Sequence, residues 1–575
     1  MEKHKMDFDV IVVGSGMSGG IAAKEFCEKS YKTLVLDRGE PIEHRQYKTE
    51  GMAPWQMPFR GEVLQEFKLQ QHIQKNIYIY NDFTKHHLIN DLENPYQQKQ
   101  PFIWYRSATV GGKSLIWGRQ SYRWCEQDFE ANKRDGNGID WPIRYADIAP
   151  WYDYIEPFVG ISGSYENLPQ LPDGKFLPHQ PFNVVERAMK EKIEQVYPER
   201  KFIPARMANL TQANKVHTDL GRVQCQARSE CPRGCSFGGY YSSNSGALPA
   251  AKRTGNFTLT ANAQVQEVLY DDVTGKASGV RYVNNKTGQS HTVTAKVVFM
   301  CASTLGSIQI LLNSKSAAFP AGIGNRHDIL GRYVMDHCGG GGASAKMPGY
   351  LDDYYKGRRP GGVYIPRFRN LDNKASAATP AENSTKTHFI RGYGFQGGAS
   401  RSGWQWAKNG QGIGADFKAQ VSQPGNWYFS MWGFGEALPR YENQVTLHPT
   451  DKDQWGLPVL VTDVAYKENE KNMVDDMTTT AKEILKAAGL VDIKGFEGYA
   501  PPGGAIHEMG GCCMGDDVKS SYLNKWNQCH EVPNLFVTDG AAFSSTSCVN
   551  PSITFMAFTA RAVDYADKQL RANTL

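Results

Sequence analysis

The segment CQARSECPRGC, residues 225–235, sets Cys225, Cys231 and Cys235 six and four positions apart. A disulfide would leave one of these thiols over. A structural zinc takes four ligands, commonly with a C-x2–4-C pair, and the nearest histidine, His217, lies eight residues upstream. Three thiolates on a glycine- and proline-bearing loop could instead hold an iron–sulfur cluster of the [3Fe–4S] type, in which one corner of the cube is empty. A redox-inactive cysteine loop and a zinc site stay open beside that reading. The chain has 11 cysteines, an odd and scattered set rather than a disulfide framework. Cys27, Cys125, Cys301 and Cys338 lie singly and are predicted to be buried free thiols, as is the neighbouring pair Cys512–Cys513, there only partly buried.

A second chemistry is written at the N-terminus. DFDVIVVGSGMSGGIAAKEF predicts a buried strand, a tight turn and a helix, with Gly14, Gly16 and Gly19 in the G-x-G-x-x-G order. The first glycine permits the turn, the second lets backbone approach a pyrophosphate, and the third lets helix and strand pack closely. The loop Gly14-Ser15-Gly16-Met17-Ser18-Gly19 would present free N–H groups and the positive end of the helix dipole to phosphates. A second strand, KTLVLDRG, ends in Asp37 and Arg38, with Asp37 placed to accept hydrogen bonds from an adenosine ribose. Strand, glycine turn, helix and acid stand in the order of a dinucleotide-binding unit, but this alone does not separate FAD from NAD. A further glycine segment, SATVGGKSLIWGRQSYR, carries Val110, Gly111, Gly112, Ser114 and Gly118 and could run flat beside a planar ring.

The elements that must carry these groups fit an elaborated globular fold. A chain of 575 residues can bury a large core. The net charge of +5 is small for that length, and no concentrated basic stripe suggests nucleic-acid binding. The most apolar long run, VVFMCASTLGSIQILL, is too short and too interrupted to span a bilayer, so no transmembrane segment is expected. The N-terminus enters a strand almost at once, so the chain is expected to carry no signal peptide of its own.

Near the C-terminus come HEMGGCCMG (507–515), NLFVTDGAAF (534–543) and CVNPSITFMAFTARAVDYA (548–566). Together with the glycine loop and VGGKSLIWG, these segments resemble the glucose–methanol–choline (GMC) family of FAD oxidoreductases, from residue 7 to about residue 566 with a variable middle. The resemblance implies that His507 is the catalytic base and Asn550 its partner on the substrate hydroxyl. It places Asp539 and Gly540 at the ribityl–phosphate part of FAD, with Pro551 and Ser552 opening the helix beside it. Val265 falls where the family's backbone meets the adenine, and Ala302 where it passes over the adenosine half. Where some members tether flavin through a histidine just before the tryptophan of GG-x-S-x-x-W, this chain has Ile116, so FAD is expected to be non-covalent. His337, in YVMDHCGGG, reads as a structural histidine near the cofactor, and Glu436 as a fold-stabilising carboxylate.

The spacing of the three cysteines is similar to that in bacterial sugar dehydrogenases of this family that carry a three-iron cluster beside the flavin. SFGGYYSSNSGALPAAKRTGNFTL resembles the gluconate and glycoside dehydrogenase subgroup. The resemblance therefore implies an FAD-dependent dehydrogenase of a sugar or glycoside hydroxyl, favouring C3 of glucosides, with electrons leaving through [3Fe–4S] to a cytochrome c-type acceptor. Gluconate or polyol oxidation, an oxygen-using oxidase and a non-catalytic flavoprotein scaffold are the alternatives. Related enzymes travel with a small leader-bearing subunit, which favours a periplasmic location by co-export over the cytoplasm.

The fold class expected is α/β: a Rossmann-like FAD-binding domain with an inserted substrate domain built on an antiparallel sheet. The FAD domain is read as discontinuous (1–125, 222–312 and 500–575), and 126–221 with 313–499 as substrate domain and cap. DWPIRYADIAPWYDYIEPFVG (140–160) predicts an aromatic-rich helix covering the site. QVTLHP and GLPVLVTDVAY, followed by a long helix, predict the sheet forming the substrate roof. The polar, punctuated stretch 369–386 predicts a mobile surface loop.

Overall fold

The structure, a computed structural model, describes residues 6–351, 353, 361–371, 389–401, 412–423 and 425–575. Most of the predicted loop 369–386 lies outside them. Three sheets organise the chain. In the first, Phe257–Thr260, Thr33–Leu36, Phe8–Val13, Ser290–Met300 and Leu535–Val537 pair in parallel. Residues 10–13 form an unbroken apolar run that is buried throughout, as a parallel strand covered on both faces requires. The antiparallel strands Ala263–Asp271 and Lys276–Asn284 extend the far side of Ser290–Met300.

The second sheet is antiparallel and contains Ile203–Pro204, Gly342–Met347, Val363–Ile365, Tyr393–Arg401, Trp427–Gly435 and Val491–Gly495. The amphipathic helix Glu468–Ala487 packs on it, burying Met473, Met477 and Ile484 in a core with Phe429 and Met431. The hairpin Gln444–Lys452/Pro458–Asp463, predicted as part of the roof, belongs instead to a third sheet with Tyr96–Gln98, Arg332–Met335 and Met509–Gly511. The helix predicted to cover the site, Tyr145–Val159, packs against the C-terminal helix Ser552–Arg571, with the Tyr152 hydroxyl 2.8 Å from Thr554 Oγ1. Of its tyrosines only Tyr152 is buried. Among the described residues no helix is long and apolar enough to cross a membrane.

Candidate active site

The predicted nucleotide-binding residues gather at the C-terminal ends of the parallel strands, where such sheets place their ligands. Gly14 has φ +98°, and a Cβ there would lie 2.3 Å from the carbonyl oxygen of Cys301. Gly16, in extended conformation, precedes the helix Met17–Glu28 without a side-chain cap. A Cβ on Gly16 would meet nothing within 4 Å, so the backbone there is open to close approach just ahead of a helix whose first N–H groups carry no side-chain cap. The Ser18 hydroxyl donates to the Thr538 carbonyl, which ties the loop to the last parallel strand.

Asp37 accepts from the Ser15 hydroxyl at 2.5 Å, from Ser15 N–H at 2.9 Å and from Gly39 N–H at 2.7 Å. It therefore locks the glycine loop to the second strand, and its carboxylate retains acceptor capacity for a ribose. The neighbouring Arg38 is lowered from its ordinary pKa by burial, against the pull of Asp37 and Asp453. Gly111 N–H donates to the Ser15 hydroxyl at 2.7 Å, while Ser114 donates to the Gly111 carbonyl at 2.6 Å. Gly111 has φ +91°, and a Cβ there would sit 1.7 Å from Asn244 Oδ1. The Asn244 amide in turn donates to the Val110 carbonyl at 3.2 Å. Gly118 follows in the same loop, with Tyr78 beside it.

Asp539 accepts from Ser307 at 2.6 Å and from Ala541 N–H at 3.0 Å. Burial nevertheless pushes its carboxyl up to about 6. A Cβ on Gly540 would lie 2.3 Å from Thr304 Oγ1, so the backbone there runs close to the helix Thr304–Asn313. Ala302 N–H is fixed by Ser307, Val265 is buried on its strand, and Pro551 and Ser552 open the C-terminal helix. The buried Ser243 Oγ and Asn244 Oδ1 have no hydrogen-bond partner. Open space before an uncapped helix, glycine backbone beside it and unanswered polar atoms together fit a dinucleotide cofactor.

His507 and Asn550, 43 residues apart, meet: Asn550 Nδ2 lies 3.1 Å from His507 Nε2. His507 Nδ1 lies 2.9 Å from Nδ1 of His337, whose Nε2 is 3.0 Å from the Thr546 carbonyl. A carbonyl only accepts, so His337 carries its proton on Nε2 and offers Nδ1 as an acceptor. His507 must then carry its proton on Nδ1 and keep a lone pair on Nε2, toward which the Asn550 amide donates. At the far end Gln396 Nε2 donates to Asn550 Oδ1 at 2.5 Å, fixing the amide's orientation. One carbonyl thus sets the tautomer of both rings.

Strand register brings the rings together. Met335 pairs with Met509 in an antiparallel ladder, so two residues after Met335 and two before Met509, His337 and His507 stand opposite on the same face. Asp336 accepts the backbone N–H groups of Ala505 and His507, each at 3.0 Å, pinning the loop that carries the base. Burial and the charge of Glu508 push Asp336 up to about 7 against those hydrogen bonds. Burial lowers His337 to about 4, and burial, with His337 and Lys113 close by, holds His507 well below its ordinary value. Both rings are neutral at neutral pH. The Lys113–Glu508 ion pair, at 2.9 Å, joins the VGGKS loop to the base loop.

Two participants, Asp336 and Gln396, were not identified from the sequence. His337 reads there as structural, although its motif supplies Asp336 and His337 in succession. Gln396 comes from the second sheet, in a segment that carries no motif. Glu436 is fold-stabilising, fully buried 2.9 Å from Arg391 and 3.7 Å from Arg367.

The cysteine loop behaves differently. Cys225, Cys231 and Cys235 are half-buried and free, and the eight other cysteines are buried and free, Cys512 and Cys513 included. Among the described residues no three His, Cys, Asp or Glu side chains are grouped to hold a metal ion. The [3Fe–4S] cage expected from the spacing is therefore not formed by these sulfurs as they stand. Arg228, ion-paired with Glu50, sends its guanidinium to within 3.8 Å of Cys235 Sγ, while Cys225 Sγ faces the Asn209 amide at 4.0 Å.

Comparison with known proteins identifies the family. The chain is 28% identical over 591 residues to a 2-methyl-1,2-propanediol dehydrogenase of Mycolicibacterium austroafricanum, covering 98% of this chain and 95% of that protein. It is 24% identical to the fructose dehydrogenase large subunit of Gluconobacter japonicus over 98% of each chain. A crystal structure of pyridoxine 4-oxidase from Mesorbium loti shares the fold, with a TM-score of 0.58 at 15% identity over 97% of this chain and 98% of that one. Two family models described as GMC oxidoreductase match residues 8–338 and 439–559, and the chain belongs to that family.

Proposed function

We propose that this protein is an FAD-dependent dehydrogenase that oxidises a hydroxyl group of a sugar or glycoside, with His507 as the base. Family membership implies FAD, and when bound it supplies the hydride acceptor. The observation that carries the reading is the row of hydrogen bonds from Thr546 to Gln396. It keeps a lone pair on His507 Nε2 that meets only the Asn550 amide, and a substrate hydroxyl entering there would take that lone pair while the amide donates to its oxygen. The hydroxyl proton passes to that lone pair as the carbinol hydrogen leaves with its electron pair. Asn550 steadies the oxygen as negative charge grows on it. The neutral state of both rings, enforced by burial, keeps the base available near neutral pH.

Within the class, a secondary hydroxyl at C3 of a glucoside is the favoured position, supported by the likeness of SFGGYYSSNSGALPAAKRTGNFTL to glycoside dehydrogenases. The relative named for fructose supports a sugar, and the one named for a propanediol supports a smaller polyol. Anaerobic mixing of the flavoprotein with glucosides, gluconate, fructose and 2-methyl-1,2-propanediol tests this, with NMR of each product. Flavin bleaching by a glucoside with a 3-keto product is the expected result; bleaching by the diol alone would overturn the sugar reading. Hydrogen peroxide yield separates a dehydrogenase from an oxidase.

Electron exit through Cys225, Cys231 and Cys235 to a cytochrome c-type acceptor, beside a small leader-bearing subunit and in the periplasm, belongs to the same proposal. A relative named a large subunit supports the companion subunit. The cluster has support only from spacing, since the sulfurs are not grouped for metal. Iron and acid-labile sulfide assays of the native protein decide it, and a protein free of both removes the cluster.

A further inference from the structure

The second sheet presents two unlike faces. Along Trp427–Gly435 the alternate residues Trp427, Phe429 and Met431 are buried in the core that includes the helix Glu468–Ala487. The opposite face carries Phe434, Trp432, Ser430 and Tyr428. Phe434 reaches the catalytic centre, its ring centroid 5.7 Å from that of His507. Gln396, directly across from Trp432, donates to Asn550. The next two aromatic residues outward are 50% exposed at Trp432 and 42% exposed at Tyr428. Phe496 stacks beside Trp432 at 5.7 Å and 26°, holding the indole upright on the sheet.

A strand advances about 3.3 Å per residue, so Trp432 stands about 7 Å and Tyr428 about 20 Å from Phe434. Scattered exposed aromatic residues need no explanation. Two on one line from the catalytic histidines, separated by a serine, do. We infer that this row binds the ring attached to the oxidised sugar, as a glycoside's second ring stacked on Trp432 with Tyr428 serving longer substrates. Such a ring, whether an aromatic aglycone or a second pyranose, has an apolar face for the indole, and a pyranose edge adds hydroxyls for Ser430. The inference rests on the sugar-hydroxyl reading and extends it from a monosaccharide to a ring-bearing glycoside.

Calorimetry on the flavin-loaded His507→Ala protein separates binding from turnover. The probes are methyl β-glucoside, phenyl β-glucoside and cellobiose. The row predicts that phenyl β-glucoside, cellobiose or both bind about tenfold more tightly than the methyl glycoside. The pattern between the two probes identifies the ring. Adding Trp432→Ala should bring the preference within about twofold, Trp432→Phe should restore most of it, and Tyr428→Ala should matter only for longer oligosaccharides. A two-ring preference that is absent, or that survives Trp432→Ala, overturns the inference. If the preference appears and is lost as stated while wild-type flavin is bleached by no glycoside, the row stands and the oxidation reading falls.

Discussion

The base loop and the cysteine loop invert the relation between distance along the chain and meeting in space. The hydrogen-bonded row takes residues 337, 396, 507 and the pair 546 and 550 from four separate segments, yet both nitrogens of each imidazole find a partner. The three cysteines share 11 residues and do not converge on a metal site. The first arrangement is set by strand register and by Asp336, which act over long separations. The second is set by local backbone: Ala227 and Ser229 at positive φ, a single 3-10 turn Cys231–Arg233 and Gly234 at φ +99°. Side chains separated by such turns follow the turns, and close spacing in a sequence is no measure of how well they point at one another.

The sharpest way to break the contrast is His507→Ala. Loss of the positioned base should slow flavin reduction by substrate about 10²–10⁴-fold in stopped-flow mixing. A loss under tenfold would place the base elsewhere. His337→Leu leaves the Nδ1 proton of His507 unanswered, at about 1–3 kcal/mol, and should cost about 10–100-fold in kcat. His337→Gln can accept from that proton and donate to the Thr546 carbonyl, so it should recover most of the rate. Equal loss in both variants would reduce His337 to packing. Asn550→Asp replaces the donor with a carboxylate that favours the imidazolium, raising the pKa of His507. The acid limb of the kcat/KM profile should then move to higher pH; an unmoved limb would separate the two side chains.

A smaller effect concerns stability. Folded His337 titrates at about 4 and an unfolded histidine near ~6.5. The unfolded chain therefore binds more protons between those values, and stability falls as pH drops from about 6.5 toward 4. Asp336, pushed up to about 7, acts in the opposite direction, weakening the fold as pH rises from about 4 to 7. Melting temperature followed across pH should show the histidine contribution flatten in His337→Gln. The smallest effect is expected at the other pole: Cys231→Ser should leave flavin reduction by substrate within about twofold, since the sulfurs take no part in proton transfer. A large loss there would make the cysteine loop part of the catalytic centre.

Much of the cofactor cleft was legible because glycines report backbone geometry directly. Gly14 and Gly16 adopt the turn and the open approach that their spacing suggested, and Gly111 adds a left-handed conformation in the second glycine segment. His507 and Asn550 were legible through family likeness. The partnership of His337 was not, since it depends on Met335 facing Met509 across a sheet whose register no short motif encodes. Gln396 was hidden for the same reason, in a strand that carries no motif. The aromatic helix Tyr145–Val159 misled because an amphipathic pattern reveals that one face is covered and not what covers it. The hairpin 444–463 was recognisable as strands, but sheet membership is decided by partners distant in the chain.

The row of imidazoles stops at the peptide oxygen of Thr546, a group that can neither release nor relay a hydrogen ion. On the proposed role, each turnover puts a proton on Nε2 of His507, and the charge can be shared only as far as His337, because nothing beyond that ring can accept it. Emptying must happen through the mouth of the cavity, to water or departing product, before another alcohol can be deprotonated. Buffer concentration should accordingly touch the recovery half of the cycle and spare the first reductive encounter.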